Sequence, residues 1–131
     1  MKETSVWAKF KDLAPGLWHR IENELAPGMP DCVGVLDGKT MFVELKSIRQ
    51  WNKRTPTDLG ISRQQALWAR QWLRAEGLSL VFAQIEQECY LFHPKDFDDL
   101  TWKITRVEAG VKALAVGKEE IIDCLHELSF Q

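Results

Sequence analysis

The spacing of hydrophobic residues in the N-terminal part of the chain predicts two helices. Thr4 or Ser5 can cap the first helix, which ends near Leu13, and Pro15 can open the second. The apolar residues of the second helix recur at helical spacing: Leu17, Trp18, Ile21 and Leu25. Residues 26–30 contain two prolines and a glycine, which end this pattern.

The next pattern is that of two strands around a tight turn. Residues 31–36 and 40–46 predict the strands, and Asp37-Gly38 between them suits the left-handed positions of a two-residue hairpin. Residues 47–60 are polar, basic and rich in Thr and Pro, which predicts a loop.

A capped helix is predicted after this loop. Ser62 can cap a helix over residues 63–76, with Gln65 at its third position and Gly77 after its end. One face of that helix would carry Leu67, Trp68, Gln71, Trp72 and Ala75.

Strands and helices alternate through the rest of the chain. Residues 80–85 and 89–92 predict strands, Pro94 can begin a short helix, and residues 119–128 carry apolar residues on one helical face. Residues 102–117 give no clear pattern. The order predicts a single α/β domain over residues 1–131, with a central mixed β-sheet of about four strands flanked by helices.

Composition fits one soluble domain. A chain of 131 residues that is 45% hydrophobic can bury an ordinary core without disulfides or a structural metal. No apolar run approaches the roughly 20 residues that span a bilayer, and the N-terminus lacks a signal-peptide pattern. We therefore expect a soluble, intracellular protein with no membrane partner. The three cysteines are widely spaced, and we interpret them as reduced, mostly buried thiols: Cys32, Cys89 and Cys124.

Positive charge is concentrated in one segment of an acidic chain. Residues 46–74 hold seven basic residues against one acid, a net charge of +6, so a whole-chain charge of −2 leaves −8 for the rest. Such a segment can bind a polyanion while the acidic remainder keeps the protein soluble. A solvated basic helix face explains the charge equally well.

The strand over residues 40–46 carries an acid and a base on one face. Because alternate side chains of a strand share a face, Glu44 and Lys46 point together, opposite to the apolar set Met41, Val43 and Leu45. A carboxylate that binds a divalent cation, beside an ammonium that orients water and offsets negative charge, suits phosphodiester hydrolysis. The alternative is an exposed Glu44–Lys46 ion pair without catalytic function.

Two further groups can complete a cation site there. Asp31 opens the antiparallel partner strand and can offer a second carboxylate, and the backbone carbonyl of Leu45 can be another ligand. Oxygen ligands of this kind, with water and substrate phosphate, are what Mg²⁺ prefers.

Three segments in this order resemble a nuclease superfamily. HRIENELAPGMPD (residues 19–31), FVELK (residues 42–46) and SRQQALW (residues 62–68) are similar to the PD-(D/E)xK nucleases, and more narrowly to the small stand-alone VRR-NUC (virus-type replication-repair nuclease) proteins of bacteriophages and prophages. The resemblance covers residues 19–92 and implies a restriction-endonuclease-like core in a bacterial or phage-infected cytoplasm.

The resemblance also implies roles for five residues. Asp31 and Glu44 would be the metal-binding carboxylates, completed by Glu22, and Lys46 would be the catalytic lysine. Gln65 matches a glutamine that such nucleases place near the scissile phosphate.

Two of these assignments have alternatives. Glu24 can replace Glu22, since the two lie about 200° apart on a helix and only one can face the site. Gln64 can replace Gln65, and Gln65 can equally act only as the capping partner of Ser62.

The predicted function is that of a Mg²⁺-dependent DNA endonuclease in which Mn²⁺ can substitute. We expect it to be selective for branched, flap or junction DNA in replication, recombination or repair, and a homodimer fits cleavage of two strands. Trp51 would stack on an exposed base, whereas Trp68 and Trp72 would belong to the core. Basic residues would hold the DNA backbone without reading bases: Arg20, Arg49, Lys53, Arg54, Arg63, Arg70 and Arg74. The alternative is an inactive DNA-binding module of the same fold.

Overall fold

A mixed β-sheet with helices on both faces organises the chain. The computed structural model describes residues 3–21, 28–97 and 102–131. Its helices are α1 (Glu3–Leu13), α2 (Arg63–Arg74), α3 (Arg106–Lys112) and α4 (Lys118–Ser129), and a 3₁₀ turn spans Pro94–Asp96. Its strands are β1 (Leu17–Arg20), β2 (Cys32–Leu36), β3 (Lys39–Ile48), β4 (Thr57–Asp58), β5 (Leu78–Ile85), β6 (Glu88–Phe92), β7 (Lys103–Ile104) and β8 (Ala115–Val116).

Within these described ranges, six strands form the main sheet in the order β1-β2-β3-β5-β6-β8. All neighbours are antiparallel except β3 and β5, which run parallel and are joined through α2. β4 and β7 form a separate antiparallel pair. The predicted α/β fold with a central mixed sheet is confirmed, although the sheet exceeds the predicted four strands by β1 and β8.

Two hydrophobic cores lie on opposite faces of the sheet. The first core packs α1 and α4 against one face, and Phe10 sits at its centre with ring centroids 4.8 Å from Trp18 and 5.0 Å from Phe82. The second core covers the other face, where Phe97 stacks on Trp102 with centroids 4.3 Å apart. Each face is therefore closed by its own set of helices and loops.

The segment after Pro15 is a strand, so the prediction of a second N-terminal helix is wrong for Leu17–Arg20. These residues pair with β2, and the Trp18 ring fits over Gly34, where an added Cβ would lie 2.3 Å from it. Trp18 is buried while Leu17 and His19 are exposed, which is the alternation of an edge strand. A segment of four residues is too short for its pattern to distinguish a helix from a strand, and pairing with β2 decides between them.

The basic segment over residues 47–60 is more ordered than a polar loop. β3 continues to Ile48, and Thr57 and Asp58 pair with β7. Asn52 N–H donates to Thr57 Oγ1 at 2.8 Å, and Leu59 is buried in the second core.

The hairpin and the capped helix are confirmed. Asp37 and Gly38 have φ values of 51° and 80°, as the tight turn requires. Ser62 caps α2 in a capping box with Gln65. α2 buries Ala66 and Ala69. Of the residues predicted to share a face, Trp68 and Trp72 are half-buried against Phe42, whereas Leu67 and Gln71 are exposed.

Candidate functional site

β3 places an acid and a base on the α2 face of the sheet, as predicted. Met41, Val43 and Leu45 lie in the first core. On the other side of the strand, Phe42 contacts α2, with ring centroids 5.0 Å from Trp68 and 4.7 Å from Trp72. Strand alternation puts Glu44 and Lys46 beside this contact. The two tryptophans are half-buried and pack against each other.

Glu44 is a buried carboxylate. Its residue is only 5% exposed, in a narrow cleft whose lining includes Pro30, Gln65 and Trp102. An exposed ion pair on a solvated face would leave the carboxylate in water, so that alternative is wrong. Burial of a charged group costs free energy unless the site stabilises it, which is typical of functional carboxylates.

Asp31 lies directly next to Glu44 in the sheet. β2 and β3 pair Cys32 with Val43, and the same register continued by one residue puts Asp31 opposite Glu44. Asp31 Oδ2 accepts a hydrogen bond from Leu45 N–H at 2.8 Å, which fixes the carboxylate against β3. On its other side, the Asp31 carbonyl accepts from Ile21 N–H at 2.7 Å. Asp31 is therefore held between two strands.

The thiol of Cys32 reports the combined charge of these two acids. Burial is the main cause that raises the pKa of Cys32, and the charges of Asp31 and then Glu44 raise it further. Asp31 and Glu44 are adjacent acids in the sheet, and two neighbouring carboxylates favour a cation beside them. The high pKa keeps Cys32 a neutral thiol, and burial raises the pKa of Cys89 and Cys124 as well. All three cysteines are free, as predicted.

Gln65 joins the start of α2 to Lys46. Its Oε1 accepts from the Ser62 backbone N–H at 2.9 Å and from Lys46 Nζ at 3.3 Å. Gln65 therefore caps α2 and lies beside Lys46 at the same time, because its Oε1 accepts both hydrogen bonds. Gln64, the alternative, is exposed.

Sequence reasoning missed Gly28, which docks the turn before Asp31 onto α2. Gly28 has φ +85°, and a Cβ there would lie 2.3 Å from the Gln64 carbonyl oxygen. Only glycine allows this approach between the two backbones. The Pro-Gly pair in residues 27–28 was the available signal, and it indicated a turn without its partner.

The described residues include two of the three carboxylates predicted to bind metal. Among residues 3–21, 28–97 and 102–131, no cluster of three or more His, Cys, Asp or Glu side chains is placed to hold a metal. Glu22 and its alternative Glu24 lie outside the described residues. Two hard oxygen ligands, Asp31 and Glu44, remain, and these fit Mg²⁺, which takes one or two protein carboxylates and keeps water or phosphate as its other ligands.

The basic residues predicted to bind DNA separate into two groups. Most are exposed on the α2 side or in the loop after β3: Arg49, Lys53, Arg54, Arg63, Arg70 and Arg74. Arg20 is two residues from Trp18 in β1 and so shares its face of the sheet, the α1 face, opposite to Glu44.

Trp51 is a correction to the predicted DNA contacts. It is 8% exposed in the second core, and its ring centroid lies 5.8 Å from that of Tyr90. Its backbone N–H donates to Glu86 Oε2 at 3.1 Å. A ring held there cannot stack on a nucleic-acid base. Burial of the apolar ring is favourable whatever the charge of its sequence neighbours, so the side chain lies in the core.

Comparison with known proteins supports the fold. No protein-family model and no curated protein matches the chain. Among solved structures, it is similar to Hjc, a Holliday junction resolvase from the archaeal hyperthermophile Archaeoglobus fulgidus. The TM-score is 0.63 at 12% identity, over 95% of this chain and 96% of that chain. At this identity the likeness shows the fold alone, and that fold is restriction-endonuclease-like, as predicted.

Proposed function

We propose that this chain is a metal-dependent endodeoxyribonuclease that hydrolyses phosphodiester bonds in branched, flap or junction DNA. The observation that carries the proposal is the convergence of Asp31, Glu44 and Lys46 on one sheet face, with Gln65 bound to the lysine. The fold likeness to a Holliday junction resolvase supports the substrate class. Within the PD-(D/E)xK superfamily, the resemblance to phage VRR-NUC proteins motivates a role in replication, recombination or repair.

Asp31 and Glu44 would hold Mg²⁺, or Mn²⁺ in its place. When bound, the metal would supply a Lewis acid for the scissile phosphate and lower the pKa of a coordinated water. Glu22 would be the third carboxylate. The Leu45 carbonyl is a further candidate, because the amide of the same residue already faces Asp31.

Lys46 would act on the phosphate and on water directly. Its ammonium would donate to a phosphate oxygen and offset the charge that develops as the P–O bond breaks. Gln65 is an acceptor for that ammonium, and α2 fixes its position through the Ser62 cap. The lysine is thus oriented before substrate binds.

The exposed basic residues would hold the DNA backbone. Arg49, Lys53 and Arg54 in the loop after β3, and Arg63 and Arg70 on α2, would contact phosphates without reading bases. This predicts weak sequence preference and strong salt dependence. A homodimer would place two active sites on a junction, and we propose a cytoplasmic protein of a bacterial or phage-infected cell. No helix in the described part of the chain has the length and apolarity to cross a membrane.

The direct test is cleavage of labelled linear duplex, single strand, flap and four-way junction DNA with Mg²⁺, Mn²⁺ or EDTA. Wild type should cut a branched DNA only with metal. Lys46→Ala should reduce the rate by about 10²-fold or more, because it removes the donor to the transition state. Lys118→Ala, on α4, is the matched lysine control and should cut at the wild-type rate.

Two results would contradict the proposal. If wild type binds one of these DNAs and cuts none under any metal condition, the inactive DNA-binding module replaces it. If wild type still cuts in EDTA, or if Lys46→Ala cuts at the wild-type rate, the proposed roles of the metal and of Lys46 are wrong.

A further inference from the structure

A second, open cleft lies beside the candidate active site, between α2 and the 3₁₀ turn. The described residues that line it are Arg70, Leu73, Arg74, Pro94 and Lys95. Three of these five are cations and none is an acid. We call it the α2–Pro94 cleft.

The α2–Pro94 cleft adjoins the narrow cleft that encloses Glu44, here called the active-site cleft. Pro94 lines both, and α2 contributes Gln65 and Ala69 to the active-site cleft before it contributes Arg70 and Arg74 to the other. A nucleic-acid strand that extends from the Glu44 site past Pro94 therefore enters a groove lined by cations.

The cations of the α2–Pro94 cleft come from two separate elements. Arg70 and Arg74 are one helical turn apart and so share a side of α2. Lys95 comes from the 3₁₀ turn, where its backbone N–H donates to His93 Nδ1 at 3.1 Å. Burial, and then the charge of Lys95, lower the pKa of His93, which keeps the ring neutral and able to accept this bond. A solvated helix face alone does not explain a third cation, Lys95, that lines the cleft from a different element.

We propose that the α2–Pro94 cleft is a phosphate-binding subsite for the nucleic-acid backbone, next to the position of the scissile phosphate. The inference rests on the proposed nuclease function and deepens it. The guanidinium groups of Arg70 and Arg74 would bind phosphate oxygens through forked N–H donors, and Lys95 would act as a point charge. Lys95 is therefore a substrate-binding residue that the charge pattern of residues 46–74 does not contain.

The test compares two charge reversals on exposed lysines, Lys95→Glu and Lys118→Glu. Lys118 begins α4, on the opposite face of the sheet. Binding of a labelled four-way junction is measured by fluorescence anisotropy in EDTA, between about 50 and 300 mM salt. Lys95→Arg is the conservative variant, and thermal unfolding confirms that each variant is folded.

Lys95→Glu should raise Kd about tenfold or more. It should also make the plot of log association constant against log salt less steep, by about one unit of slope. Lys95→Arg should restore binding, and Lys118→Glu should stay within about twofold of wild type.

Failure of the subsite and failure of the nuclease are distinguishable. Equal Kd values for Lys95→Glu and Lys118→Glu overturn the subsite, even if wild type cuts DNA in a manner that needs Lys46. Absence of DNA binding by wild type also overturns it. If binding depends on Lys95 but no DNA is cut, the subsite stands as a backbone-binding site and the nuclease proposal fails.

Discussion

The two faces of the central sheet bury different kinds of residue. The face under α1 and α4 buries large apolar side chains, with Phe10, Phe82 and Leu45 at most 1% exposed. The face under α2 also buries aromatic residues, but it encloses Glu44 at 5% exposure and Lys46 beside it. One strand, β3, supplies both faces through alternate residues.

This difference indicates a division of labour within β3. Apolar burial of the first kind contributes most of the free energy of folding. Burial of a carboxylate beside Asp31 costs free energy, because desolvation and like charge both oppose it. Stability and chemistry should therefore be separable by substitutions at adjacent positions of β3.

The largest expected effect is loss of cleavage in Glu44→Gln. The amide keeps the shape of the side chain but removes the charge proposed to hold the metal, so the cleavage rate should fall by about 10²–10³-fold. The free energy of unfolding should stay within about 1 kcal/mol of the wild-type value, since the amide keeps the volume of the side chain and a buried charge is lost. Single-turnover cleavage and urea unfolding measure the two quantities. A variant that loses cleavage only because it has unfolded would contradict the separation.

The neighbouring substitution, Leu45→Ala, should do the reverse. Removal of this buried side chain should lower the free energy of unfolding by about 2–5 kcal/mol through lost burial and a cavity in the first core. The folded protein should still cut DNA at a rate within a fewfold of wild type, because the Leu45 backbone and its bond to Asp31 remain. Urea unfolding, and cleavage well below the unfolding midpoint, provide the check. A hundredfold loss of cleavage in the folded variant would show that the two faces are coupled.

Sequence patterns predicted features with a fixed local period better than contacts between distant parts of the chain. Alternation along β3 was sufficient to place Glu44 and Lys46 together, because a strand has a fixed period of two. The capping box of Ser62 and Gln65 was equally local. The prediction of a helix over Leu17–Arg20 was wrong because four residues fit either a helix or a strand. Only the pairing with β2 decides between the two.

Three other features arise from contacts between residues that are distant in the sequence. Trp51 appeared available for DNA because its neighbours are basic, yet it packs on Tyr90 far along the chain. Lys95 lies outside the basic segment, and only folding brings it to Arg70 and Arg74. Gly28 appeared to be an ordinary turn residue until α2 was placed against it.

A smaller effect is expected from Gly28→Ala, which tests how the second face is assembled. The left-handed φ costs about 1–2 kcal/mol for an L-residue, and the clash with Gln64 adds to it. Displacement of the turn should also move Asp31 relative to Gln65 and slow cleavage by about tenfold. Gly38→Ala is the matched control, since Gly38 has φ +80° but open space around it. It should show the backbone cost without loss of cleavage, and equal cleavage by both variants would reject the docking role of Gly28.

The smallest expected effect concerns the hairpin that begins β3, far from both clefts. Asp37 Oδ2 accepts from Ser129 Oγ at 2.7 Å and lies 3.4 Å from His126 Nδ1, which ties the turn to the end of α4. The Ser129 hydrogen bond, and then His126, lower the pKa of Asp37 below its ordinary value. A lowered carboxyl pKa stabilises the fold at pH above the unfolded-state value, and this stabilisation disappears as pH falls through the folded-state value.

Asp37→Asn should therefore lower Tm slightly at pH 7, and the difference from wild type should shrink as the pH falls below about 4. Asn keeps the left-handed turn and can still accept from Ser129, so the substitution isolates the charge. Thermal unfolding between pH 7 and pH 2 measures the effect, with Asp123→Asn on α4 as the control. A Tm difference that stays constant or grows toward low pH would mean that Asp37 acts through turn geometry, and that its charge contributes nothing to how the first face is closed.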